Sequence, residues 1–119
     1  MPITPETLRD LSIAALDEHK AIDIQSIDVR QQTDITDYLI VASGNSDRQL
    51  RALAAAVIDK VRSQGVRPLG KEGASGSDWM LVDLGDVVVH LMRPETRDFY
   101  QIERLWGELP KVRSQGNEG

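Results

Sequence analysis

The stretch from Trp79 to Met92, Trp-Met-Leu-Val-Asp-Leu-Gly-Asp-Val-Val-Val-His-Leu-Met, constrains this chain more than any other. Two apolar runs meet at Gly85-Asp86, and a two-residue Gly-Asp loop signals a hairpin because glycine takes positive φ without steric cost. The turn sets the register. Leu84 faces Val87, Asp83 faces Val88, Val82 faces Val89, Leu81 faces His90, Met80 faces Leu91 and Trp79 faces Met92. Side chains alternate with period two, so these pairs sort onto two faces. One face, with Met80, Val82, Leu84, Val87, Val89 and Leu91, is wholly apolar and calls for helices over it. The other carries Trp79, Leu81, Asp83, Val88, His90 and Met92, large apolar groups mixed with an acid and an imidazole.

The rest of the chain supplies those helices. Thr4-Pro5-Glu6 has the hydroxyl cap, N-terminal proline and first-turn acid of a helix start, and Leu8, Leu11, Ala15 and Leu16 continue it as a stripe. Ile22 to Val29 reads as a strand of imperfect alternation. Asp37 to Ser43 reads as a continuous apolar strand of the kind buried on both faces. Ser46 and Gln49 form a capping-box pair, and Leu50, Leu53, Ala54, Val57, Ile58 and Val61 give a helical stripe that stops at Gly65. Val66 to Gly70 reads as a short strand, completing a crossover unit for which right-handedness is the rule. Lys71 to Asp78 is a Gly/Ser-rich loop. Pro94 opens a last helix with Phe99, Ile102, Trp106 and Leu109 on one stripe and Arg104 and Glu108 spaced for an i,i+4 pair. The expected fold is a single α/β domain over residues 1–110, a mixed sheet of about five strands with about three helices. Residues 111–119 read as a disordered tail. Lys-Val-Arg-Ser-Gln-Gly occurs at both Lys60–Gly65 and Lys111–Gly116, too short a match for a structural repeat.

Composition narrows the function. With no cysteine among 119 residues, disulfides and thiolate metal sites are excluded. The N-terminus lacks the pattern of a signal peptide and no run approaches the ~18 apolar residues of a membrane span, so a cytoplasmic location without membrane attachment is expected. A net charge of −5 argues against direct DNA binding, which needs a basic face, and permits a basic protein partner.

Catalysis finds little support. Ser43-Gly44-Asn45-Ser46 is a strand-to-helix turn able to hold an anion, but it lacks the P-loop lysine and the G-x-G-x-x-G spacing, so a plain capping turn is expected. A nucleotidyltransferase would need two carboxylates two apart on a strand; Asp83 and Asp86 are three apart across a tight turn. The two histidines, His19 and His90, have no metal-ligand spacing, so neither a metal site nor a cofactor is expected. Trp106 reads as core. Trp79 does not, because Trp79, Leu81, Val88 and Met92 would form an exposed apolar patch that soluble monomers seldom leave unused. A helix of the chain, a second copy or another protein could cover it. Glu72, Asp78, Asp83 and Asp86 would rim it with charge, as protein interfaces commonly are. Burying a tryptophan of ~200 Å² at ~25 cal/mol/Å² is worth on the order of 5 kcal/mol before ordering costs, enough for a hot spot.

Several motifs then agree with one family. Asp34-Ile-Thr-Asp-Tyr-Leu-Ile-Val-Ala-Ser-Gly44, Gly70-x-Glu-Gly73, Asp78-Trp79, Val82-Asp-Leu-Gly-Asp-Val-Val-Val-His90 and Phe99-Tyr-x-Ile-Glu-x-Leu-Trp106 resemble the ribosomal silencing factors, the RsfS or YbeB/Iojap family, in order and spacing from about residue 6 to 108. The resemblance implies a nucleotidyltransferase-like topology without the catalytic carboxylates, and a homodimer. It implies binding to protein fourteen of the large ribosomal subunit, which blocks small-subunit joining and represses translation when nutrients are scarce. Glu72, Trp79, Asp83 and Asp86 match the family motif. The expected partner-binding set is Glu72, Asp78, Trp79, Leu81, Asp83, Asp86, His90 and Met92. Two rival expectations are a dimerisation scaffold using the same patch and a nucleotide binder of the nucleotidyltransferase fold.

Overall fold

The structure, a computed structural model, describes residues 3–73 and 78–108, the side chains of 107 and 108 excepted. Helix α1 (Pro5–Glu18) begins where Thr4 Oγ1 accepts from the Thr7 N–H at 3.1 Å. Strands β1 (Ile22–Asp28) and β2 (Tyr38–Ser43) follow, then α2 (Asp47–Ser63), capped by Ser46 Oγ accepting from the Gln49 N–H at 3.1 Å and ending before Gly65. Strands β3 (Gly70–Glu72), β4 (Trp79–Asp83) and β5 (Val87–Met92) precede two short helices, α3 (Pro94–Tyr100) and α4 (Ile102–Glu108).

The five strands form one mixed sheet in the order β1-β2-β5-β4-β3. Only the central β2–β5 pair is parallel; the other three pairings are antiparallel. The hairpin register is the expected one: Trp79 pairs with Met92, Leu81 with His90 and Asp83 with Val88. Gly85 takes φ +89°, and the Asp83 carboxylate accepts the Gly85 N–H at 2.9 Å, so turn and flanking acid lock each other.

On the apolar face, α1 and α2 bury Leu8, Ala15, Leu16, Leu50, Leu53, Ala54, Val57 and Val61 against Ile40, Ala42, Met80, Val82, Val87, Val89 and Leu91. All six residues of β2 are buried, as a strand covered on both sides should be.

Two expectations need correction. The strand expected over Val66–Gly70 lies instead at Gly70–Glu72; the Leu69 N–H already bonds the Asp83 carbonyl at 2.8 Å, and the ladder along β4 decides where pairing starts. The last helix is not continuous. Gln101 adopts a left-handed conformation (φ 49°, ψ 50°) that ends α3 and redirects α4. The helical stripe is thereby broken: Phe99 is 78% exposed while Ile102 is buried. Leu109, the expected tail, the second hexapeptide copy and the Glu108 side chain lie outside the described residues.

Candidate functional site

Pairing across the whole sheet extends the mixed face into rows. One runs Gln25, Val41, His90, Leu81, Glu72; the next runs Ile27, Leu39, Val88, Asp83, Gly70; a third joins Ser43, Met92 and Trp79. The β1–β2–β5 side of this face is a second, smaller core. Val29, Leu39, Val41, Met92 and Ile102 are buried there, with Ile27, Trp79, Val88 and Trp106 packed half-buried around them. Ile102 and Trp106 come from α4, so the chain itself covers part of the patch. Met92 was expected among the contact residues. It is fully buried under that cover and belongs to the core, because strand alternation reports which face a side chain takes and not what lies above it.

Toward β4 and β3 the cover thins. Trp79 is half-buried, with the Tyr100 ring 5.0 Å from its own at a 48° tilt. Phe99 meets Tyr100 edge-on at 4.9 Å and is itself exposed. The Trp79 indole N–H donates to His90 Nδ1 at 3.0 Å. That bond requires a neutral imidazole with its proton on Nε2, and burial agrees, lowering the His90 pKa from 6.5 to about 4. Leu81 is half-buried and joins neither core cluster, and Glu72, its cross-strand neighbour, is exposed. These residues form an aromatic ridge, Trp79, Tyr100 and Phe99, beside Leu81 and Glu72.

The four expected rim acids do not act alike. Glu72 and Asp83 lie on the mixed face. Asp83 is half-buried and engaged in the turn, whereas Asp86 is exposed at the hairpin tip, the other end of β4 from Trp79. Asp78 adjoins Trp79 and sits 3.7 Å from Arg93. Tyr100 was missed because it lies off the helical stripe expected through Phe99 and Ile102; the adjacent Phe99-Tyr100 pair was the available signal. Arg97 was missed too: it is 6% exposed in a position that hydropathy assigns to solvent.

Two backbone donors of the strand-to-helix turn are engaged within the protein, and one of its hydroxyls accepts a bond. The Gly44 N–H bonds the Met92 carbonyl at 3.2 Å, the Asn45 N–H bonds Gln49 Oε1 at 2.7 Å and Ser43 Oγ accepts from Arg97 at 3.1 Å. Among the described residues no three histidines or carboxylates come together in a way that could hold a metal ion. No described helix is long and apolar enough to cross a membrane.

Fold and face together define a small α/β domain with a half-open aromatic ridge on one face of its sheet. A family model described as "Ribosomal silencing factor during starvation" matches residues 2–118. A ribosomal silencing factor of Chromobacterium violaceum is 45% identical over 102 residues, covering 86% of this chain and 84% of that protein. A crystal structure of a protein from the same organism superposes with a TM-score of 0.86 at 42% identity, covering 92% of each chain. The mouse protein named mitochondrial assembly of ribosomal large subunit protein 1 is 38% identical over 100 residues, 82% of this chain and 44% of its own length. The chain belongs to the ribosomal silencing factor family, RsfS.

Proposed function

We propose that this protein binds the large ribosomal subunit in the cytoplasm, at protein fourteen, through the ridge of Trp79 and Tyr100 with Leu81 and Glu72 beside it. Bound there, it keeps the small subunit from joining and so lowers translation under starvation. The observation that carries the reading is the incomplete cover of the mixed face. An amphipathic tryptophan stays half-open at the edge of a core that is otherwise closed, next to exposed Phe99 and Tyr100. Family membership, and a relative named for assembly of the ribosomal large subunit, support a large-subunit partner.

The mechanism needs no reaction. The net charge of −5 speeds encounter with a basic ribosomal protein, and the aromatic ridge supplies the anchor that slows release. Repression is steric, since two bodies cannot share one surface. The Gly44 and Asn45 N–H groups, bonded within the protein and not turned out toward an anion, support the reading as a regulator over that as a nucleotide binder.

Gradient sedimentation of subunit reassociation, with and without the protein, tests this. Wild-type protein keeps subunits apart. Trp79→Ala weakens co-sedimentation with large subunits by about 30-fold or more, the loss expected of a hot spot. Charge reversal at Glu72 and Asp86 together is the cleaner electrostatic probe, because Asp83 is needed by the turn; it slows association and flattens the salt dependence. Unchanged binding in both variants overturns the assignment of this face. Homodimerisation is part of the proposal, and sizing the Trp79→Ala variant divides the two uses. A monomer that still binds subunits gives the patch to the second copy.

A further inference from the structure

We infer that Arg97 is a positioning residue for the contact face, setting the elbow between α3 and α4 so that Tyr100 lies on Trp79; this rests on reading that face as the subunit-binding surface. One guanidinium ties four elements together. Its Nε donates to Glu103 Oε2 on α4 at 2.9 Å, and its Nη1 donates to Ser43 Oγ at the end of β2 at 3.1 Å and to the Ile22 carbonyl of β1 at 3.4 Å. Its Nη2 stands 3.6 Å from the Asp23 carboxylate, also on β1. The Arg97 side chain is 7% exposed. Its own carbonyl accepts the Gln101 N–H at 2.8 Å, the bond that closes α3.

A single residue, Gln101, separates α3 from α4, and the two residues flanking it have opposite duties. Tyr100 packs on the half-open Trp79, whereas Ile102 is buried with Met92. The angle at Gln101 therefore decides whether both contacts exist at once. The Arg97–Glu103 pair spans that angle, one partner on each helix, while Ser43, Ile22 and Asp23 fix it to the sheet. Stability alone is a poor reason for such an arrangement, because a buried ion pair is often no better than apolar residues of similar volume. What fork-shaped, directional bonds add is one defined geometry. Among the described residues Arg97 Nη2 and Glu103 Oε1 are buried without a hydrogen-bond partner, a cost that stability alone would not favour.

The test uses the full ¹⁵N-labelled chain and reads the Trp79 indole N–H signal, assigned against Trp106 with Trp79→Phe. Tyr100→Ala defines where that signal lies without the neighbouring ring. Arg97→Met moves the signal toward the Tyr100→Ala position and weakens large-subunit co-sedimentation about tenfold. In the double variant Arg97→Met/Glu103→Leu, apolar replacement returns the urea midpoint to the wild-type value or above, yet the indole signal stays displaced and binding stays weak. A merely structural role would be rescued by that swap. A double variant with a wild-type indole signal, or with wild-type binding, overturns the inference. Should it fail to fold, Arg97→Lys decides by the same two readouts, since lysine keeps the charge and loses the fork. If Trp79→Ala binds like wild type, the reading of the face falls, and the indole signal still judges Arg97.

Discussion

The two faces of the sheet are built to different specifications. Over the apolar face lie two helices of 14 and 17 residues, and the cluster they close includes 17 buried side chains. Over the mixed face lie two helices of 7 residues each, hinged at a strained Gln101, and among the described residues five side chains are buried in the cluster there. The first face is finished by the chain itself. Among the described residues the second is closed at its β1–β2–β5 side and leaves an aromatic margin toward β4. Folding energy is concentrated where no partner can reach, so the other face can carry polar groups, an ion pair and a half-exposed tryptophan.

Three measurements sharpen or break this contrast. The largest expected effect is on the closed face. Leu53→Ala should cost about 2–5 kcal/mol in urea unfolding, as a fully buried leucine held between helix and sheet does, while Leu81→Ala on the open margin should cost under about 1 kcal/mol and lower subunit binding. Equal losses at both sites would show that the faces share one core.

The second is a pH effect. His90 is held neutral in the folded chain with its pKa lowered from 6.5 to about 4, so the unfolded chain takes up its proton first. Its contribution is complete above pH 6.5 and is lost as pH falls from 6.5 to about 4, with a slope of up to about 1.4 kcal/mol per pH unit. His90→Gln keeps an acceptor for the Trp79 indole and removes the titration. Subtracting its urea midpoints from those of the wild type between pH 4 and 7 isolates the effect, and identical pH profiles would contradict it. The smallest change is at the elbow. Gln101→Gly relieves the left-handed backbone and should raise stability by about 0.5–1 kcal/mol, read as a shift in melting temperature.

What could be read from sequence divides along the same line. The hairpin, β2 and α2 are set by neighbours in the chain: a Gly-Asp turn, an unbroken apolar run, a serine cap followed by a helical stripe. Their registers and ends follow from those signals. β3 and the α3–α4 elbow are set from a distance. Gly70-Lys71-Glu72 has no alternation of its own and pairs because β4 lies alongside. Gln101 turns left-handed, although glutamine has no preference for it, because Arg97, Glu103 and the buried Ile102 hold both sides. In the candidate site, Trp79 was legible as a large apolar group on a polar-tinged face. Tyr100 and Arg97 were not, since their roles depend on that elbow, and Met92 was misassigned because its cover comes from α4.

The parallel pairing of β2 with β5 also sets a timetable. Tyr38 has its neighbour on β1 within a short loop, but its neighbour on the other side is Val87, far along the chain. A nascent chain emerging from the ribosome therefore carries this wholly buried strand with one edge unpaired until Met92 is free. Non-local closure of this kind is slow relative to helix formation, and the waiting strand is prone to aggregate. Phe99 and Tyr100, which complete the aromatic ridge, are made only after Met92. A nascent chain that has not yet reached Tyr100 thus lacks the ring that packs on Trp79.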